Sequence, residues 1–152
     1  MSDPSEVHVT GHCFCGGVTF TVDIPAGDRP IFTAYCHCDD CRRSHATPLY
    51  QVVCVDEGQL SITAGADLLR DFTRDGGRIN RQFCGTCGTR VLNRFPSGWR
   101  PGGRTPVVFF PNLLSAGTMA QLPEPLRPIR QNFGEQCVLD KESLQRLFAS
   151  QT

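Results

Sequence analysis

Val18, Phe20 and Val22 alternate with Thr19, Thr21 and Asp23, the period of a strand with one buried face, and Pro25-Ala26-Gly27-Asp28 ends it. Apolar runs predict further strands over 31–35, 49–55, 59–63, 78–83 and 107–110. Turn formers separate them: Asp56-Glu57-Gly58, Gly65, Asp75-Gly76-Gly77 and the stretch 96–106. A helical period appears at the end of the chain, where Asp140 caps a stripe of Leu144, Leu147 and Phe148. The pattern predicts a mainly β fold, largely antiparallel, with a short C-terminal helix.

The chain has 152 residues, enough for one domain. Its apolar fraction is 39%, nine cysteines included, and 15 glycines with 11 prolines make it rich in turns. Such a core is thin for its length, and a bound metal is one way to stabilise it. Basic and acidic residues balance at 15 each, so no global positive field supports nucleic-acid binding. The arginines of the middle segment read as a solvated, charge-balanced surface. The start, Met1-Ser2-Asp3-Pro4-Ser5-Glu6, lacks a charged-then-apolar leader, and no apolar run reaches membrane-spanning length. A cytoplasmic, reducing location is expected, where dense cysteines mean metal or redox chemistry in preference to disulfides.

Those cysteines fall in runs. Cys84-Gly85-Thr86-Cys87-Gly88 has the glycines that turn two sulfurs inward and free backbone N–H groups to donate to them. Cys13 and Cys15 share one face of an extended segment and make a second half-site, followed by Gly16-Gly17. Cys36, Cys38 and Cys41 form a set of three without an evident fourth, as in a catalytic zinc site whose open position holds water or substrate. Spacing leaves the pairing open: Cys13 and Cys15 could equally join two of the middle cysteines, and Cys84 with Cys87 could be a redox pair. Cys54, inside Val52-Val53-Cys54-Val55, and Cys137 read as buried, inert thiols.

Gly11-His12-Cys13-Phe14-Cys15-Gly16-Gly17-Val18, Cys36-His37-Cys38-Asp39-Asp40-Cys41-Arg42-Arg43-Ser44 and Phe83-Cys84-Gly85-Thr86-Cys87-Gly88-Thr89 resemble the three signature segments of the glutathione-dependent formaldehyde-activating enzyme and centromere protein V domain family. The resemblance implies a β-rich, Mss4-like zinc-binding fold. It implies two zinc ions per chain: a structural one on Cys13, Cys15, Cys84 and Cys87, and a catalytic-type one on Cys36, Cys38 and Cys41. The expected organisation is an N-terminal segment 1–8, a zinc domain 9–137 and a helical tail 138–152. Two departures bear on the substrate. Members often carry Gly after the Ser-His that follows the middle cysteines, where this chain has Ala46, and a Pro…His-aromatic segment that here reads Pro125 to Phe133 without histidine.

The implied chemistry is that of a carbon–sulfur lyase. A three-thiolate zinc accepts a substrate thiol as fourth ligand and deprotonates it, and the thiolate adds to an aldehyde carbonyl or leaves in the reverse reaction. Glutathione with formaldehyde is the pair that the family name implies. Arg42 and Arg43 could hold a substrate carboxylate or sit in solvent. His45 is either a proton shuttle or a surface loop residue, His37 is packed or hydrogen-bonded behind the ligands, and His12 lies at the surface. The alternatives are a hydrolase using zinc-bound water and a non-catalytic binding module of the same fold. Small-molecule thiol and carbonyl partners are expected, without nucleic acid or membrane.

Overall fold

A computed structural model describes residues 6–95 and 98–149, with residues 147 and 148 as backbone only. Of the expected C-terminal stripe, the Leu147 and Phe148 side chains lie outside the described residues, as do the first two positions of the 96–106 turn and the leader positions 1–5.

Two sheets account for most of the chain. The first contains β1 (Val7–His12), β2 (Thr19–Ile24) and β5 (Leu60–Ala64), antiparallel in the order β1-β2-β5. The second contains β3 (Phe32–Cys36), β4 (Tyr50–Asp56), β6 (Leu69–Phe72), β7 (Asn80–Cys84), β8 (Arg90–Arg94), β9 (Pro106–Phe109) and β10 (Arg130–Asn132). Its order is β10-β3-β4-β9-β8-β7-β6, and the β10–β3 pair alone is parallel. Three short helices complete the elements: α1 (Asp39–His45), α2 (Ala116–Ala120) and α3 (Lys141–Ala149). The fold is mainly β, as the patterning predicts. No helix among the described residues is long and apolar enough to cross a membrane.

Alternation decides which way each strand faces. β4 is central and its side chains are buried on both faces. Val53 and Val55 join Val9, Phe20, Val22, Leu92, Val107 and Phe109 in the core between the sheets, where the Phe20 and Phe109 rings lie 6.1 Å apart. Tyr50, Val52 and Cys54 point the other way, into a second cluster with Ala34, Cys36, Cys41 and Phe110. The middle cysteines are therefore built into an apolar layer on the outer face of the larger sheet.

Several elements escape the sequence pattern. β8 begins and ends on arginine around a buried Val91-Leu92-Asn93, so it shows no alternation. β6 is an edge strand with three exposed side chains. β10 is three residues long, too short to show a period. Its register sets Asn132 against Cys36. α3 forms as expected, with Asp140 Oδ1 accepting from the amides of Glu142 and Ser143, each at 3.1 Å.

Candidate metal centres and adjoining cavities

After β1, Cys13 donates its amide to the Val18 carbonyl at 3.0 Å, and Gly16 closes the loop onto the Cys13 carbonyl at 2.9 Å. Cys84 ends β7, and a matching turn follows: Gly88 donates to the Cys84 carbonyl at 2.8 Å with φ of 76°. Only glycine enters that left-handed conformation at low cost. The two turns meet. The sulfurs of Cys13, Cys15, Cys84 and Cys87 all lie within 4.8 Å of one another, with Cys13–Cys15 at 3.5 Å and Cys15–Cys84 at 3.8 Å. Four sulfurs at about 2.3 Å from one ion form a tetrahedron with edges of about 3.8 Å. These four cysteines therefore could bind a metal ion.

Donors surround these sulfurs. The Val18 amide reaches Cys13 Sγ at 3.2 Å, and the Thr89 hydroxyl lies 3.2 Å from Cys87 Sγ. The Thr89 hydroxyl and then its amide lower the Cys87 thiol to about 5, and the Cys87 amide lowers Cys84. The Gly17 amide pulls Cys15 down, but contacts with Cys13 and Cys87 outweigh it and raise that thiol to about 11. All nine cysteines are free thiols.

Cys36 ends β3, Cys38 precedes α1 and Cys41 lies inside it. Cys36 and Cys41 are buried and Cys38 is half-buried. The Cys41 thiol hydrogen-bonds to Cys36, which falls to about 7, while Cys41 is raised. Burial raises Cys38. Tyr50, opposite Cys36 in the β3–β4 register, hydrogen-bonds to both Cys36 and Cys41, and its own phenol is raised by burial. Among the described residues these three sulfurs do not form a set as tight as the first. The described residues that come close enough together to hold a metal ion are the four cysteines alone, and Cys36, Cys38 and Cys41 stand outside that set.

The side chains around the three cysteines are settled by packing. His37 is buried, as expected, with Nε2 and Gln131 Oε1 2.6 Å apart. Arg42 Nε donates to the His37 carbonyl at 2.9 Å and Nη2 to Asp39 Oδ1 at 3.2 Å, so this guanidinium braces the cysteine loop. Arg43 is exposed and pairs with Asp39 at 2.9 Å. His45 is not a surface residue. Its ring stacks on Tyr50 at 4.2 Å and meets the edge of Phe110 at 4.6 Å. Burial, then the charges of Arg90 and Arg81, lower it to about 4, so it is neutral at neutral pH. His12 is exposed and Cys54 fully buried, as read from the sequence. Cys137 differs from expectation. It is half-buried, on the wall of a groove shared with Tyr35, Leu139 and Leu144.

A cavity of about 440 Å³ opens beside Tyr50 and is walled by His45, Thr89, Arg90, Phe110 and Asn112. A second, of about 320 Å³, shares Ser44 and Arg90 with it and adds Asp40, Arg43, Arg74 and Arg81. Thr89 belongs to the four-cysteine turn and Tyr50 touches the three-cysteine set, so the larger cavity lies between the two. Sequence reading missed Tyr50, Arg81 and Arg90. A tyrosine in a strand and arginines among aspartates carry no local signal, and the β3–β4 and β7–β8 pairings are what gather them.

A family model described as the glutathione-dependent formaldehyde-activating enzyme matches residues 8–136. The crystal structure of a Rhodobacter sphaeroides protein, a structural-genomics target, is similar with a TM-score of 0.56 and 20% identity. The alignment covers 81% of this chain and 99% of that one, and it shows a shared fold. No curated protein matches.

Proposed function

The chain belongs to the glutathione-dependent formaldehyde-activating enzyme family, and from that premise we propose that it is a zinc-dependent carbon–sulfur lyase acting on the adduct of a small thiol and an aldehyde. The observation that carries the reading is the contact of Cys36 and Cys41 with Tyr50, whose other neighbours line a cavity. In this proposal Cys13, Cys15, Cys84 and Cys87 hold a structural zinc, and Cys36, Cys38 and Cys41 hold a second. When bound there, zinc supplies the Lewis acidity that keeps a substrate sulfur deprotonated.

The chain's own residues supply the rest. Tyr50 and Phe110 give the cavity apolar walls that exclude water from the reacting carbon. His45 Nε2, buried and without a hydrogen-bond partner, is the neutral ring nitrogen available to the adduct's hydroxyl. In the cleavage direction the C–S pair returns to sulfur, the O–H pair becomes the second C–O bond and the proton passes to the thiol. The products are a thiol and an aldehyde, and addition is the reverse. Glutathione and formaldehyde are the first pair to try. Nine free thiols suit a reducing, cytoplasmic setting.

The test is thiol addition to cobalt-substituted protein, read by thiolate-to-cobalt absorption, followed by magnetisation-exchange spectroscopy with aldehydes. A new charge-transfer band with thiols, abolished in Cys38→Ser, is expected. Metal-loaded protein whose spectrum no thiol changes would overturn the reading in favour of hydrolysis or a non-catalytic module.

A further inference from the structure

Four buried polar atoms without a hydrogen-bond partner gather on the walls of the two adjoining cavities: Ser44 Oγ, His45 Nε2, Arg81 Nε and Arg90 Nε. Arg81 is only 7% exposed. Among the described residues its side chain makes one hydrogen bond, a long 3.4 Å contact to the Ile79 carbonyl, and the Arg90 side chain makes an equally long one to Asn93. Arg43 and Arg74, on the same wall, pair with Asp39 and Asp40. Among the described residues, no carboxylate pairs with Arg81 or Arg90.

A buried Arg81 and a half-buried Arg90 without a carboxylate are costly, because each loses water and each repels the other. Burial and then Arg81 lower Arg90 to about 10. Cys41 and Tyr50 oppose that effect at Arg90, yet no anionic side chain hydrogen-bonds or ion-pairs with Arg81. At Arg81 a bound anion would supply the charge that no carboxylate among the described residues supplies by contact. A planar anion of two oxygens matches the guanidinium fork. Arg90 lines both cavities, and the larger one reaches Tyr50 beside Cys36 and Cys41.

We propose that Arg81 and Arg90, with the Ser44 hydroxyl, bind a carboxylate of the thiol substrate and so select acidic thiols over neutral ones. The inference rests on the thiol–aldehyde reading above. Asp40, the carboxylate on this wall, stays engaged with Arg74 and leaves the paired arginines to the ligand.

Calorimetric titration of the full-length, metal-loaded chain with three probes separates the two readings. Glutathione has both groups, its diethyl ester keeps the thiol and loses the carboxylates, and S-methylglutathione keeps the carboxylates and loses the thiol. The ester should bind roughly 10–100-fold more weakly than glutathione, the scale of a lost charged hydrogen bond. Arg90→Gln and Arg81→Gln should weaken glutathione by a similar factor and leave the ester unchanged, with Arg81→Lys recovering part of the loss. Should Arg81→Gln fail to fold by circular dichroism, Arg90→Gln and Arg81→Lys carry the comparison. Equal affinity for ester and acid overturns the carboxylate site and leaves the thiol reading intact. S-methylglutathione binding as tightly as glutathione, in an Arg90-dependent way, supports the carboxylate site and overturns the thiol reading. Binding of none of the three overturns both.

Discussion

Ala46 closes α1 with φ of 50° and ψ of 43°, a left-handed conformation that costs a residue with a Cβ about 1–2 kcal/mol. Its amide reaches back to the Arg43 carbonyl at 3.4 Å and Thr47 to Arg42 at 3.2 Å, the bonding of a helix C-terminus that usually ends on glycine. Glycine, which has no Cβ, would take this conformation without that cost. Ala46→Gly should raise stability by up to about 1 kcal/mol, after the larger entropy of the unfolded glycine is deducted, and urea denaturation would read it. One residue earlier, His45 is depressed to about 4 against an ordinary 6.5. The unfolded state takes up a proton below pH 6.5 and the folded state does not until about pH 4. His45 therefore leaves stability untouched above pH 6.5 and removes roughly 3 kcal/mol as pH falls through that window. Tyr50, Phe110, Arg90 and Arg81 face the ring, and none supplies a carboxylate. His45→Phe should lose less stability between pH 6.5 and 4.5 than the parent; equal losses in denaturant melts would contradict this assignment.

Among the elements, the tight turns carry the four-cysteine cluster, and their chemistry was legible because glycine and cysteine fall at fixed offsets. Cys13, Cys15, Cys84 and Cys87 could be read as two half-sites from spacing, but their pairing required knowing that the β1–β2 loop meets the β7–β8 turn. Most strands with alternation or long apolar runs were found within a residue or two at each end, but β1 was missed although Val7, Val9 and Gly11 alternate with exposed positions. β8 and β6 were missed too, because arginine ends and an exposed edge erase the two-residue period. The same loss of pattern concealed Arg81 and Arg90, which look like solvated charges until β7 and β8 pair. Two substitutions separate the cysteine sets. Cys84→Ser, in the closed cluster, should cost on the order of 4 kcal/mol or more, whereas Cys38→Ser should keep the fold and lose thiol binding. Comparable thermal melts for the two variants would refute that division. Gly65 tests the turn from its other side: an added Cβ would lie 2.0 Å from the Gly17 carbonyl oxygen, at φ of 72°. Gly65→Ala should cost about 2–4 kcal/mol. Because the Gly17 amide hydrogen-bonds to Cys15, it should also speed loss of metal to a chelator, measured with a zinc indicator.

At the scale of the molecule, the four-cysteine cluster ties one sheet to the other. Cys13 and Cys15 follow β1 of the smaller sheet, and Cys84 and Cys87 lie at the end of β7 in the larger. The four sulfurs converge only when the two sheets are packed, so metal bound there favours the folded state over the unfolded one and should stabilise the packing of the sheets beyond any local turn. Chelation under reducing conditions should therefore raise amide exchange first in β1, β2 and β5, while β4 and β9, buried in the middle of the larger sheet, stay protected. Uniform loss of protection would mean that the hydrophobic core alone joins the sheets.

β10 completes the edge of β3 from the far end of the chain, with Asn132 set against Cys36. On the ribosome that contact comes late. All four cysteines of the closed cluster have been made by residue 87, whereas the outer edge of β3 stays bare until residues 130–132 emerge. Cys36, Cys38 and Cys41 are all made before Cys84 and Cys87, so the chain emerges with the middle thiols complete while the four-cysteine cluster still lacks half its members. The cluster that could bind metal across the two sheets is completed next, and the strand bearing Cys36 receives its neighbour last of the three.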